Sequence, residues 1–319
     1  YSYDNETESV EQPKSLWRLA SFDGVHYLSI ARFGYLGGYQ TAFFPLYPTL
    51  IFILSLFTHN FLVSGFIISL ISFFLSSYLL NKMFGARAVY GLIFFPTAFF
   101  LLSIYSDSLF LFLSLLSLYL YRKDRLLLTS VVIALATATR VYGVFLIPLF
   151  ILLAAKDHKK FTKKQLAIMP LGLISYMIYL TFQFGDPIAF FHNLGAWQKN
   201  HLIFPLQTIY RYLKIMITVS PSTPTYFVAL LELSIFALVI IINIFLLLSK
   251  NYPFALLVFL GWLIPGMTGT LQSFPRYALA LFPIFPILSK SRLFLPYLVL
   301  GGITEVVLLY AFSTGIFVS

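Results

Sequence analysis

Four ionisable side chains interrupt a chain that is mostly hydrocarbon. They are Asp23 in "SFDGVHYLSIARFG", Asp107 in "IYSDSLF", Arg140 in "ATATRVYG" and Arg276 in "QSFPRYAL". Each lies beside apolar runs, where a charge is costly unless it is used. Two guanidinium forks suit a phosphate group, because their paired planar donors match its oxygens. One conspicuous carboxylate with two arginines does not suit glycoside hydrolysis, which needs a second carboxyl group to protonate the leaving alcohol. It does suit displacement of a phosphate, which leaves well once its charge is held. In that chemistry Asp23 is the general base on an acceptor hydroxyl, Arg140 and Arg276 hold the phosphate, and Asp107 orients the arginines.

Each residue also has a plainer reading. The segment from Asp23 to Gly34 reads as a short helix with Asp23 at the N-cap and Gly34 at C′, so Asp23 can serve as a cap alone. An arginine at a helix end can simply snorkel to water, and Asp107 can cap the helix that follows it. His26, three residues after Asp23 on the same helical face, can orient the carboxylate or sit at an interface. Tyr27 and Tyr277 are the expected supporting groups beside Asp23 and Arg276. The stretch "FGDPIAFFHNLGAWQKNHLIFPLQT" offers His192, Trp197 and Gln198 as contacts for an acceptor or sugar, or as part of an aromatic belt at a membrane surface.

The elements that must position these groups follow from composition. Of 319 residues, 60% are hydrophobic and 10% charged, with a mean hydropathy of +0.89. A soluble domain carries about a quarter charged residues, so the expected class is an all-α polytopic membrane protein. Runs such as "IFALVIIINIFLLL" are apolar all round, which excludes the two-residue alternation of a membrane β-barrel. Candidate spans fall at 61–81, 87–104, 107–121, 126–138, 140–155, 165–184, 224–249, 252–271, 276–289 and 293–313. The net charge of +10 comes largely from short basic loops between spans, which mark the cytoplasmic side rather than nucleic-acid binding. With five such loops on one side, 126–155 must be a hairpin turning near Thr139 and Arg140. Everything before residue 60 then lies outside, with 43–57 as a helix along the outer interface and 185–223 as a long outer loop. Thus 1–60 is an extracytoplasmic region, 61–319 a bundle of about ten helices, and the four charged side chains meet on the outer face.

The absence of cysteine removes disulfides and thiolate metal sites. No Walker loop, Rossmann glycine pattern, HExxH motif or nucleophile elbow occurs, and nothing visible calls for a metal or cofactor. The opening "YSYDNETESVEQPKS" is polar and acidic and begins with Tyr, so further sequence is expected upstream. A transporter or flippase of lipid-linked sugars is the alternative from another class. It calls for charges near mid-membrane and symmetric halves, and no such repeat is visible.

The blocks "LASFDGVHYLSIARFGY…TAFFPLYP", "FFPTAFFLLSIYSDSLFLFLS", "ALATATRVYGVFLIP" and "PRYALALFPIF", in this order over residues 15–290, resemble the PIG-V-type mannosyltransferases, the family of GPI mannosyltransferase II and its prokaryotic relatives. Phe22 stands where relatives have Trp, and Gln40 where an acid is common. The resemblance implies a GT-C fold, a multi-helix bundle with short helices in its first extracytoplasmic loop. It implies an inverting glycosyltransferase at the outer face, with Asp23 as its acid in that loop. The donor would be a polyprenyl- or dolichyl-phosphate sugar, mannose in the family, and the acceptor a glycan or glycolipid. A prokaryotic plasma membrane fits better than the endoplasmic reticulum.

Overall fold

The computed structural model describes residues 14–193 and 202–316. It is all-α, 76% helix, with no strand among the described residues. The chain runs through α1 (Asp23–Phe33), α2 (Leu46–Thr58), α3 (Phe61–Phe84), α4 (Ala86–Ile93) and α5 (Asp107–Arg122). It continues through α6 (Leu126–Thr137), α7 (Leu146–Lys156), α8 (Lys163–Ile168), α9 (Leu171–Phe184) and α10 (Ala189–His192). The last elements are α11 (Pro205–Thr218), α12 (Pro224–Leu248), α13 (Tyr252–Gly266), α14 (Phe274–Ala278), α15 (Ile284–Leu288) and α16 (Phe294–Ser313).

Among the described residues three helices, α3, α12 and α16, are long and apolar enough to cross a bilayer. Two of them, α3 and α12, begin at side-chain caps. Asn60 caps α3 by accepting from Val63 N at 2.9 Å, and Gly85 ends it at φ 90°. Thr223 caps α12 by accepting from Tyr226 N, with Pro224 just inside, where its missing N–H is harmless. Large apolar side chains project outward along all three, including Phe74, Leu248 and Tyr310. Such a surface belongs in lipid, and the chain is a helical membrane protein.

Several expected spans are not continuous helices, and proline is the reason. The run 87–104 divides into α4 and a 3-10 turn at Ala98–Leu101, with Pro96 between them. The run 276–289 divides into α14 and α15, five residues each, because Pro283 and Pro286 remove donors and clash with the preceding turn. The run 165–184 breaks at Pro170 into α8 and α9. The freed backbone groups find side-chain partners, as lipid requires. Thr97 Oγ1 donates to Pro275 O at 3.0 Å, tying one break to the other, and Tyr297 OH donates to Gly91 O.

The segment 43–57 contains α2, at 13 residues about 20 Å long and too short to span. The run 126–155 breaks where expected, around Thr139 and Arg140, but α6 and α7 do not pair as the expected hairpin, because α7 packs chiefly on α13. The expected outer loop 185–223 is partly helical instead, since α10 and α11 fall inside it. The most extensive helix contact joins α3 to α5. Ser69, Ser72 and Ser76 of α3 and Ser114 and Ser117 of α5 are buried, and small side chains let helices approach closely in a membrane. Ser76 and Ser114 return their hydroxyls to carbonyls one turn back, at 2.7 and 2.8 Å.

Candidate functional site

Asp23 is the first helical residue of α1 and not its N-cap, as the sequence had indicated. Phe22 holds the cap position at φ 61° and ψ −113°. A bulky side chain there is a strained conformation, costing on the order of 1–3 kcal/mol. Tyr105 supports the turn, its hydroxyl donating to Ser21 O at 2.7 Å and accepting from Asp23 N at 3.3 Å. The Asp23 carboxylate is therefore free to leave its own helix, and Oδ2 accepts from Arg276 Nη1 at 2.7 Å.

Arg276 is carried by the five-residue helix α14, entered through Ser273 at φ 67° and Pro275. Its guanidinium lies among the rings of Tyr105, Phe100 and Tyr277, at 5.1, 5.5 and 5.5 Å. Aromatic faces attract a cation most where water is scarce, and Arg276 is only 5% exposed.

Asp107 is the first helical residue of α5, behind Ser106. It caps nothing by side chain; its Oδ1 accepts from Arg140 Nη1 at 2.5 Å. Arg140 sits in extended backbone between α6 and the 3-10 turn Val141–Phe145. That turn folds tightly back, because a Cβ on Gly143 would come within 2.6 Å of the Ala136 backbone. The Tyr277 ring lies 5.7 Å from the Arg140 guanidinium as well as 5.5 Å from that of Arg276. The two ion pairs are one electrostatic cluster: the arginines repel each other, and Arg276 is attracted to Asp107 as well as Asp23. Tyr27, also buried, hydrogen-bonds Ser106 Oγ at 2.7 Å, beside Asp107.

Two polar atoms in this cluster have no partner among the described residues, Arg276 Nε and Asp107 Oδ2. Buried polar groups are nearly always paired, so an unused donor on a buried cation marks a place for an acceptor. A largely apolar groove of 720 Å³ runs between the C-terminal end of α1, α2, α6 and α9, lined by Ile30, Arg32, Tyr35, Pro48, Ala138 and Tyr176 and by none of the four paired charges. Its nearest approach to the charges along the chain is Ala138, two residues before Arg140.

His26 does not hydrogen-bond Asp23. Its ring packs against Tyr39 and Phe43, at 5.4 and 5.0 Å between centroids. Burial holds its pKa below the ordinary 6.5, with the Asp23 charge opposing the shift. His192 pairs with Asp186 at 2.7 Å, and no contact joins it to either ion pair. Trp197 and Gln198 lie outside the described residues. Tyr105, Phe100, Ser106 and Tyr142 also belong to the site, Tyr142 through its ring contact with Tyr277 at 5.4 Å. Reading charges alone missed them, although Tyr105 and Ser106 stand within two residues of Asp107.

Compared with protein-family models, curated proteins and solved structures, the chain matches none.

Proposed function

We propose that this membrane protein is a glycosyltransferase that moves a sugar from a polyprenyl- or dolichyl-phosphate donor to a glycan or glycolipid acceptor. The observation that carries the reading is the double ion pair Asp23–Arg276 and Asp107–Arg140 with its buried, unpartnered Arg276 Nε. A phosphate oxygen is the acceptor that such a donor fits best, because charge-assisted bonds to guanidinium are short and strong.

In the proposed step the donor phosphate is held by Arg276 and Arg140, with Asp107 and the Tyr277 ring fixing the forks. Asp23 keeps one oxygen on Arg276, and its Oδ1, without a hydrogen bond among the described residues, faces the acceptor. The acceptor oxygen attacks C1 of the sugar as its proton passes to Asp23. The bond from C1 to the phosphate oxygen breaks, its electron pair leaves with the lipid phosphate, and the anomeric configuration inverts. The groove of 720 Å³ offers apolar walls for the first part of the lipid chain. This reading extends to a GT-C bundle of the PIG-V type, mannose as the sugar, an extracytoplasmic site and a prokaryotic plasma membrane. It rests on the four sequence blocks and the basic-loop topology.

The test uses membranes containing the full chain, radiolabelled polyprenyl-phosphate mannose and a panel of glycolipid acceptors. Label should move to a lipid-extractable product with the native chain and not with Arg276→Gln. Equal transfer by both would remove the arginine from the reaction.

A further inference from the structure

A second group of charges lies in the basic loops. Residues 156–164 hold five lysines, Lys156, Lys159, Lys160, Lys163 and Lys164, together with His158. The nearby acids are occupied by contacts within the protein. Asp157 accepts from Tyr121 OH at 2.9 Å, and Asp124 pairs with Lys159. Lys159 also donates to Tyr121 O at 3.3 Å and covers the Tyr121 ring at 4.7 Å. These contacts staple the loop 156–164 to the loop bearing Arg122, Lys123 and Arg125. Among the described residues Lys156, Lys160, Lys163 and Lys164 have no ion pair.

Of these four, Lys160 reaches an apolar groove of 470 Å³, whose walls are Ile151, Ala154, Ala155, Phe161 and Leu166 and whose rim is His158, Lys160 and the paired Lys159. A free anion would use the rim and leave the walls wet. A neutral lipid would use the walls and leave the charge unmet. A single ligand with an apolar chain and an anionic phosphate matches both halves. Basic residues next to a membrane helix attract such headgroups, by about 1 kcal/mol each near the surface.

We propose that this groove binds one anionic phospholipid from the leaflet that the basic loops face, with an acyl chain along Ile151 and Leu166 and the headgroup phosphate at Lys160, in the positive field of the sequence neighbours Lys156, Lys163 and Lys164. The site is independent of the Asp23–Arg276 cluster.

The experiment is native mass spectrometry of the detergent-purified full chain, with phosphatidylglycerol or phosphatidylcholine added at equal concentration. The native protein should retain one phosphatidylglycerol at least tenfold more than phosphatidylcholine. A variant carrying Lys156→Gln, Lys160→Gln, Lys163→Gln and Lys164→Gln should lose that preference, retaining the two lipids about equally. These side chains are exposed or at loop positions, so folding is checked by an unchanged Tm without lipid. Ala155→Phe, which fills the groove and keeps every charge, should reduce retention of phosphatidylglycerol. Equal retention of both lipids by the native protein, an undiminished preference in the lysine variant, full retention by Ala155→Phe or displacement by millimolar inorganic phosphate would each overturn the proposal.

Discussion

Arg276 and Asp23 lie 253 positions apart in the chain and meet at 2.7 Å. Both are entered through strained backbone, Phe22 at φ 61° and Ser273 at φ 67°. Strain at two turns that aim one ion pair is the pattern of a site held against local preference. It separates the roles of charge and shape at Arg276. Arg276→Lys keeps the charge but loses the planar fork and Nε. We expect transfer to fall by about 100-fold or more, with Tm lowered by only a few degrees. Measured rates within a factor of three of native would mean that charge alone suffices.

Asp107 and Arg140 are expected to act on stability before chemistry. The carboxylate is 1% exposed, and removing one partner of a buried pair costs about 3–5 kcal/mol because the other charge is stranded. Asp107→Leu should therefore destabilise the protein more than Asp107→Leu combined with Arg140→Met. A double-mutant cycle of unfolding midpoints in detergent checks this. Additive effects would show that the two side chains are not coupled.

Tyr212 on α11 should position Arg276 from a distance. Its hydroxyl donates to the buried Glu232 at 2.5 Å, accepts from Leu271 N at 2.9 Å and lies 3.4 Å from Thr270 Oγ1. Arg211, one residue earlier, donates to Gly269 O at 3.1 Å. Together they pin the segment that leads into Ser273 and Arg276. Tyr212→Phe removes the acceptor of the buried Leu271 N, a loss of about 1–3 kcal/mol. The loosened segment should raise KM for the lipid-phosphate donor while kcat changes little. Because the chain has no cysteine, Gln272→Cys provides a clean probe, and maleimide should label it faster in the Tyr212→Phe background. Unchanged labelling would detach α11 from the site.

Stability should fall on the acid side of pH 6.5 through His26. Burial lowers its folded pKa below the ordinary 6.5, so the unfolded chain binds this proton more readily. The stabilisation is complete above 6.5 and is lost as pH falls from 6.5 towards the folded pKa. His26→Gln should flatten the plot of unfolding midpoint against pH over that interval. Asp186 acts lower down: the hydrogen bond from His192 holds its pKa below the ordinary 3.8, and that contribution disappears only as pH drops through the folded value. An acid limb identical in native protein and His26→Gln would assign it to other groups.

Much of the helical framework was legible from length and apolarity, because α3, α12 and α16 carry no proline in their interiors strong enough to break the run. The broken segments were not, since a window of apolar residues scores the same whether or not Pro96, Pro283 and Pro286 divide it. The meeting of Asp23, Asp107, Arg140 and Arg276 was expected from loop charge and parity, and the structure brings them together as two ion pairs. Which acid would face which arginine did not, because pairing depends on the turns at Phe22 and Ser273, and neither residue type advertises positive φ. Asp23 resembled an N-cap because a cap and a first-turn acid differ by one residue in sequence and by the whole direction of the carboxylate in space. Helix α11 was hidden because Gln207, Arg211 and Lys214 give it the composition of a loop, although Thr208 and Tyr212 recur four apart on its buried side.

The most direct measurement is single-turnover transfer from radiolabelled polyprenyl-phosphate mannose by Asp23→Asn, read beside equilibrium binding of the same donor. The asparagine can still accept from Arg276 but cannot take a proton. Binding should stay within a few-fold of native while transfer falls by about 100- to 10,000-fold. Transfer at the native rate with intact binding would contradict Asp23 as the base and, with it, the proposed reaction.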